Sequence, residues 1–90
     1  MAHVTRDRKK LLSRIRRIGG QVTALEGALV EGRECAEVLV QIAAVRGAVN
    51  ALMMEVLAGH LEEHVAGETD KRRRENELAL LTRLMKTHLR

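Results

Sequence analysis

Leu11, Ile15, Ile18, Val22, Leu25 and Leu29 recur at alternating spacings of four and three residues, which draws an apolar stripe down one face of a helix. The pattern predicts a first helix over about 4–30. Gly19 and Gly20 interrupt it, each at a cost of roughly 1 kcal/mol relative to alanine, so the pair is expected to mark a bend or the close approach of a neighbouring helix. It is not a phosphate loop, because no strand precedes it and no glycine-rich pattern follows. Glu31-Gly32-Arg33 reads as a turn, with Gly32 near the C-terminal cap.

A second helix is expected over about 34–65, long for a globular domain. Its stripe is Cys35, Leu39, Ile42, Arg46, Val49, Met53, Val56 and His60. When an antiparallel copy is set so that Cys35 faces His60, Leu39 faces Val56, Ile42 faces Met53 and Arg46 faces Val49. Every stripe position then meets another, and the two-fold axis falls between the small residues Gly47 and Ala48, as an isologous interface requires. Gly67 and the polar run through Asp70 end this helix. A third, over about 72–89, carries Leu78, Leu81, Leu84, Met85 and Leu89 on one face, enough to cover a dimer but not to stand alone. The expected architecture is all-α: one domain over 1–90, a three-helix subunit pairing as an antiparallel dimer.

Composition agrees. There is no Phe, Trp, Tyr or Pro, and without proline the main interrupter of long helices is missing. A chain of 90 residues buries a modest share of its surface alone, so association with further copies is a natural source of stability. No signal peptide is evident, and the longer apolar stretches are broken by polar residues short of the ~20 that a membrane span needs. A cytoplasmic protein with no membrane partner is therefore expected. Its net charge of +4 is distributed in blocks: residues 1–20 carry +6, 21–70 carry −7 and 71–90 carry +5. Basic ends around an acidic middle suggest an anionic polymer as partner, nucleic acid first, against the plainer reading of solvated helix faces.

His3, Cys35, His60 and His64 are the candidate metal ligands. If Cys35 and His60 share one helix, 25 residues at 1.5 Å rise separate them by about 37 Å, too far for one ion. An antiparallel copy brings Cys35 of one chain to His60 and His64 of the other. Cys35 opens a helix, where unsatisfied N–H groups favour negative charge on sulfur; His60 and His64 stand four apart on one face. The plain alternatives are a core cysteine and a surface histidine pair. His3 precedes the first helix, beside the amine that Ala2 exposes once the initiator Met is removed. One thiolate with several nitrogens suits Ni(II), Co(II) or Zn(II) better than Cu(I), and Glu34 and Glu63 are candidate neighbours of the site.

His60-Leu61-Glu62-Glu63-His64 also fits the H-x-x-E-H pattern of zinc hydrolases. A small helical chain offers little room for the further ligand, open position and cleft that hydrolysis needs, so no enzyme is expected. Lys10, Arg14 and Arg17 follow helical spacing, with Arg6, Lys9 and Arg16 close by and Arg46 near the two-fold axis. Repeated by symmetry, they would span phosphates along double-stranded DNA. No helix-turn-helix is apparent, and the lack of aromatics argues against single-strand stacking platforms.

The stretches Arg14 to Gln21 (RIRRIGGQ), Glu34-Cys35 and Gln41 to Glu55 (QIAAVRGAVNALMME), followed by His60 and His64, resemble the CsoR/RcnR family of metal- and formaldehyde-responsive transcriptional repressors over essentially the full chain. The likeness is to the RcnR subgroup of nickel and cobalt sensors, whose ligand set corresponds to His3, Cys35, His60 and His64. It implies a dimer of dimers that binds operator DNA in the apo form without a helix-turn-helix. Effector binding would release the DNA and derepress an efflux or detoxification gene. Copper-sensing members carry cysteine where His64 stands. Formaldehyde-sensing members share Cys35 and His60 but have proline second and glutamate in place of His64; that alternative would join Cys35 to the Ala2 amine. A third reading is a helical scaffold with incidental histidines.

Overall fold

The computed structural model describes residues 7–89. Helix α1 spans Arg8–Val30, α2 spans Cys35–His60 and continues through a π-helical turn, Leu61–Ala66, and α3 spans Lys71–His88. No strand occurs among the described residues, as the all-α reading expects; the anticipated start of the first helix near residue 4 lies outside them.

The turn after α1 forms where glycine was expected to place it. Gly32 adopts φ +69°, a left-handed conformation that glycine enters without a Cβ penalty. Its N–H donates to Leu29 O at 3.2 Å, and Arg33 N–H donates to Ala28 O at 3.0 Å. Together these close a Schellman motif and satisfy carbonyls that the helix end would otherwise leave open. The hairpin sets α1 antiparallel to α2.

The face that α1 presents to α2 is not the predicted stripe. Leu11, Arg14, Ile18, Gln21, Leu25 and Ala28 are buried or half-buried, whereas Ile15, Val22 and Leu29 are exposed. Only half of the stripe faces inward because Arg14 and Gln21, polar residues that a hydrophobic pattern passes over, occupy the alternate inward positions. α1 also runs unbroken through Gly19 and Gly20, and a Cβ at either would meet nothing of this chain within 4 Å, so no close approach within the chain calls for them. On α2 the inward face is Val38, Gln41, Val45, Ala48, Leu52, Glu55 and Gly59. The second predicted stripe is exposed from Cys35 to Val49 and half-buried at Met53, Val56 and His60.

The subunit measures 56 × 28 × 12 Å with a radius of gyration of 17.2 Å, against about 12 Å for a compact chain of this length. Its short dimension is about one helix diameter. Among the described residues the buried hydrophobic side chains are Leu11, Ala28 and Leu81, while Leu39 and Val40 are 58% and 69% exposed.

The span Cys35–Ala66, 32 residues with a mean hydropathy of 1.4 over its most apolar window, is long and apolar enough to cross a membrane. This corrects the expectation that no stretch qualifies: between Glu37 and Glu55 the only charge is Arg46, which an average over the window absorbs. A helix apolar around its circumference is equally one that packs on more than one side.

At the end of α2 the helix widens. Gly67 N–H reaches back five residues to Glu62 O at 2.8 Å, and a Cβ there would lie 2.9 Å from Glu62 O and 3.2 Å from Glu63 O. Asp70 then caps α3 by accepting from Arg73 N–H at 3.1 Å. Gly32→Ala should lower stability by roughly 1–2 kcal/mol through backbone strain, and Gly67→Ala by about 1–3 kcal/mol through overpacking. Urea denaturation followed by circular dichroism measures both; unchanged midpoints would contradict these roles.

Candidate functional site

His60 is the last residue of α2 and His64 lies in the π-helical turn. Their rings are 4.6 Å apart between centroids and inclined at 44°. α3 returns across this end and places Glu77 Oε2 2.9 Å from His60 Nε2. The His60 side chain is only 15% exposed, so the contact fixes the ring. A neutral imidazole that donates from Nε2 to the carboxylate keeps Nδ1 as a lone-pair donor, an orientation typical of metal-ligating histidines. Beside it, His64, Glu68, Arg73, Asn76 and Glu77 line a recess of about 340 Å³.

The carboxylate hydrogen-bonded to His60 is Glu77, whereas Glu34 and Glu63 are the acids that adjoin the candidate ligands in sequence. The available signal was that Glu75 and Glu77 are the acids in an otherwise basic third helix, with Glu77 next to the apolar residue Leu78.

Cys35 begins α2 as an exposed free thiol, about 37 Å along the helix from His60. The structure thus brings His60 and His64 together and leaves Cys35 at the far end. Among the described residues, no group of three His, Cys, Asp or Glu side chains gathers to hold an ion within one chain. His3 and the Ala2 amine lie outside the described residues.

The basic residues form a different surface. Lys10 Nζ meets Glu55 Oε1 at 2.8 Å, and Arg14 Nε pairs with Glu55 Oε2, which ties the N-terminal half of α1 to α2. These contacts hold the Glu55 carboxyl below its usual range, chiefly through the hydrogen bond from Lys10, with the charges of Arg14 and Lys10 adding and desolvation opposing. Asp7, Lys9, Lys10, Ser13, Arg14 and Arg17 line an open concavity of about 520 Å³. Arg16 and Arg17 are exposed on α1, and Arg46 is exposed midway along α2.

A family model described as metal-sensitive transcriptional repressor matches residues 7–88, from the first basic residues through α3. The chain belongs to this family, the CsoR/RcnR repressors. The repressor is 48% identical over its full length to transcriptional repressor RcnR of Salmonella typhimurium, whose whole length is also covered. It is 47% identical, again over all of both chains, to an RcnR homologue of Escherichia coli O139:H28. Among solved structures it is similar to a variant of the formaldehyde-responsive regulator FrmR from Salmonella enterica serovar Typhimurium in which histidine replaces one glutamate. That likeness has a TM-score of 0.80 at 48% identity, covering 92% of this chain and 94% of the other. The role is therefore regulatory rather than enzymatic, and the H-x-x-E-H match carries no catalysis.

Because Glu55 has a lowered carboxyl pKa in the folded chain, its contribution to stability is present above the unfolded carboxylate pKa and is lost as pH falls through the folded one. Denaturation midpoints of the wild type and Glu55→Gln should therefore differ near neutral pH and converge in acid. A difference that persists or grows in acid would contradict the assignment.

Proposed function

We propose that this repressor senses Ni(II) or Co(II) in the cytoplasm, with Zn(II) compatible with the same donors, and releases operator DNA on binding the ion. An efflux gene would thereby be derepressed. The observation that carries this reading is the pairing of His60 with His64 at one end of α2, locked by Glu77, while Cys35 stands exposed at the other. A second, antiparallel copy along the uncovered stripe from Cys35 to Val49 supplies the missing thiolate, and two such dimers form the repressor.

Bound at this junction, the ion would supply a cross-link between subunits. The chain's own residues do the rest. His60 and His64 provide two imidazole nitrogens, and Glu77 fixes the first ring. Cys35 of the partner subunit would provide sulfur, and His3 with the Ala2 amine would complete the shell. Residues 1–6 lead directly into Lys10, Arg14, Arg16 and Arg17, so drawing His3 to the ion would shift the basic edge that, with Arg46, would contact DNA phosphates. The coupling is reciprocal: DNA weakens ion binding by the factor with which the ion weakens DNA binding. The RcnR names of the full-length relatives favour nickel and cobalt, and histidine at position 64 favours nitrogen coordination.

The likeness to a formaldehyde-responsive regulator supports a second reading, in which the exposed Cys35 thiol and the Ala2 amine are joined by a methylene bridge with loss of water. An anaerobic Co(II) titration of reduced protein separates the two. The metal reading predicts a saturable near-ultraviolet thiolate-to-cobalt band that Cys35→Ala abolishes, and roughly 10- to 100-fold weaker binding in Glu77→Gln. Absence of the band, together with a formaldehyde adduct heavier by one carbon atom that disappears when the amine is blocked, would establish the other.

A further inference from the structure

We propose that Glu55 is a built-in competitor for the DNA backbone: in the free repressor it occupies Lys10 and Arg14, and a DNA phosphate must take both cations from it. This inference rests on the reading of the basic edge of α1 as DNA-facing.

Lys10 and Arg14 sit one helical turn apart, and the two oxygens of Glu55 divide them, Oε1 to Lys10 and Oε2 to Arg14. A phosphate presents the same chemistry, with two anionic oxygens for an ammonium and a guanidinium. The same two side chains line the open concavity with Asp7, Lys9, Ser13 and Arg17, four cations to one acid, so they face the internal carboxylate and the approach of an external anion together. The side chains of Lys10 and Arg14 are 68% and 40% exposed. Glu55 itself is 20% exposed, so the pair with Lys10, the more exposed of the two cations, is the more readily screened by salt and exchanges first. Contacts of duplex DNA, by contrast, are reinforced by release of its condensed counterions.

Two consequences follow. Glu55 lowers the affinity of the basic edge for DNA of any sequence, reserving tight binding for sites where further contacts compensate. It also flattens the salt dependence, because binding breaks a protein ion pair that salt itself weakens.

The test is fluorescence anisotropy of full-length, metal-free protein with a labelled mixed-sequence DNA duplex across a range of salt. Glu55→Gln should bind roughly threefold to tenfold more tightly at low salt, with a steeper salt slope and convergence on the wild type at high salt. In a Lys10→Ala/Arg14→Ala background the substitution should gain nothing. Equal or weaker binding by Glu55→Gln, or the same gain in that background, overturns the proposal. If the double variant itself binds like the wild type at every salt, the DNA-facing reading of Lys10 and Arg14 fails, and the role of Glu55 fails with it. A double variant that binds weakly, beside a Glu55→Gln without effect, removes Glu55 alone. Should Glu55→Gln fold poorly, NMR of the wild type decides. The Glu55 carboxyl carbon and Arg14 Nε–H signals should shift together as duplex is added, and a Glu55 signal unmoved at saturation overturns the exchange.

Discussion

A helix of 32 residues with apolar side chains around its circumference cannot be covered by one neighbour, and this constraint governs the subunit. α1 covers one side of α2, and α3 lies over its C-terminal end, leaving a slab 12 Å thick in which there is no interior to fill. Leu39, Ile42 and Val49 on α2, like Ile15, Val22 and Leu29 on α1, stay in contact with water. Each such side chain is worth about 1.5–3 kcal/mol when fully buried, so the uncovered faces are a strong drive towards a partner. Because the family is one of transcriptional repressors, the covering proposed for these faces is a second copy rather than lipid.

The same constraint gives the site its logic. A cysteine at one end of α2 and two histidines at the other are out of reach of each other within a chain, and the proposed antiparallel pairing would bring them together. Two carboxylates connect that end of α2 to its neighbours: Glu77 reaches from α3 to His60, and Glu55 holds Lys10 and Arg14 of α1. Glu55 and His60 are five residues apart on α2, about 7.5 Å along its axis. The histidine pair and the basic edge are thus anchored to the same short length of helix. In the proposed mechanism, a shift of α1 relative to this segment would alter the spacing of the cations that face DNA.

Much of the fold is legible in the sequence. Spacings of three and four locate the first two helices, the one-sided apolar residues from Leu78 to Leu89 locate the third, the glycine of Glu31-Gly32-Arg33 locates the turn, and RIRRIGGQ with QIAAVRGAVNALMME points to the family. What escaped was side-chain chemistry that a hydrophobic pattern cannot weigh. Arg14 and Gln21 take inward positions on α1, so the packed face is rotated from the apolar stripe. Glu77 reaches His60 only because α3 folds back over the π-helical turn, a contact across 17 residues that spacing along one helix does not encode. The π-helical turn depends on the close approach of Gly67 to backbone carbonyls. Glu55 reads in sequence as one more acid in the acidic middle, and its tie to Lys10 and Arg14 emerges only once the hairpin sets the register of α1 on α2.

Subunit mixing tests the shared site most directly. Chains carrying Cys35→Ala, unfolded and refolded together with chains carrying His60→Ala and His64→Ala, give mixed dimers in which one of the two junctions regains thiolate and both imidazoles. Each parent alone should lack the intense thiolate-to-cobalt band, and the mixture should recover about a quarter of the wild-type amplitude if pairing is random and antiparallel. A mixture as silent as its parents would contradict a site built between subunits.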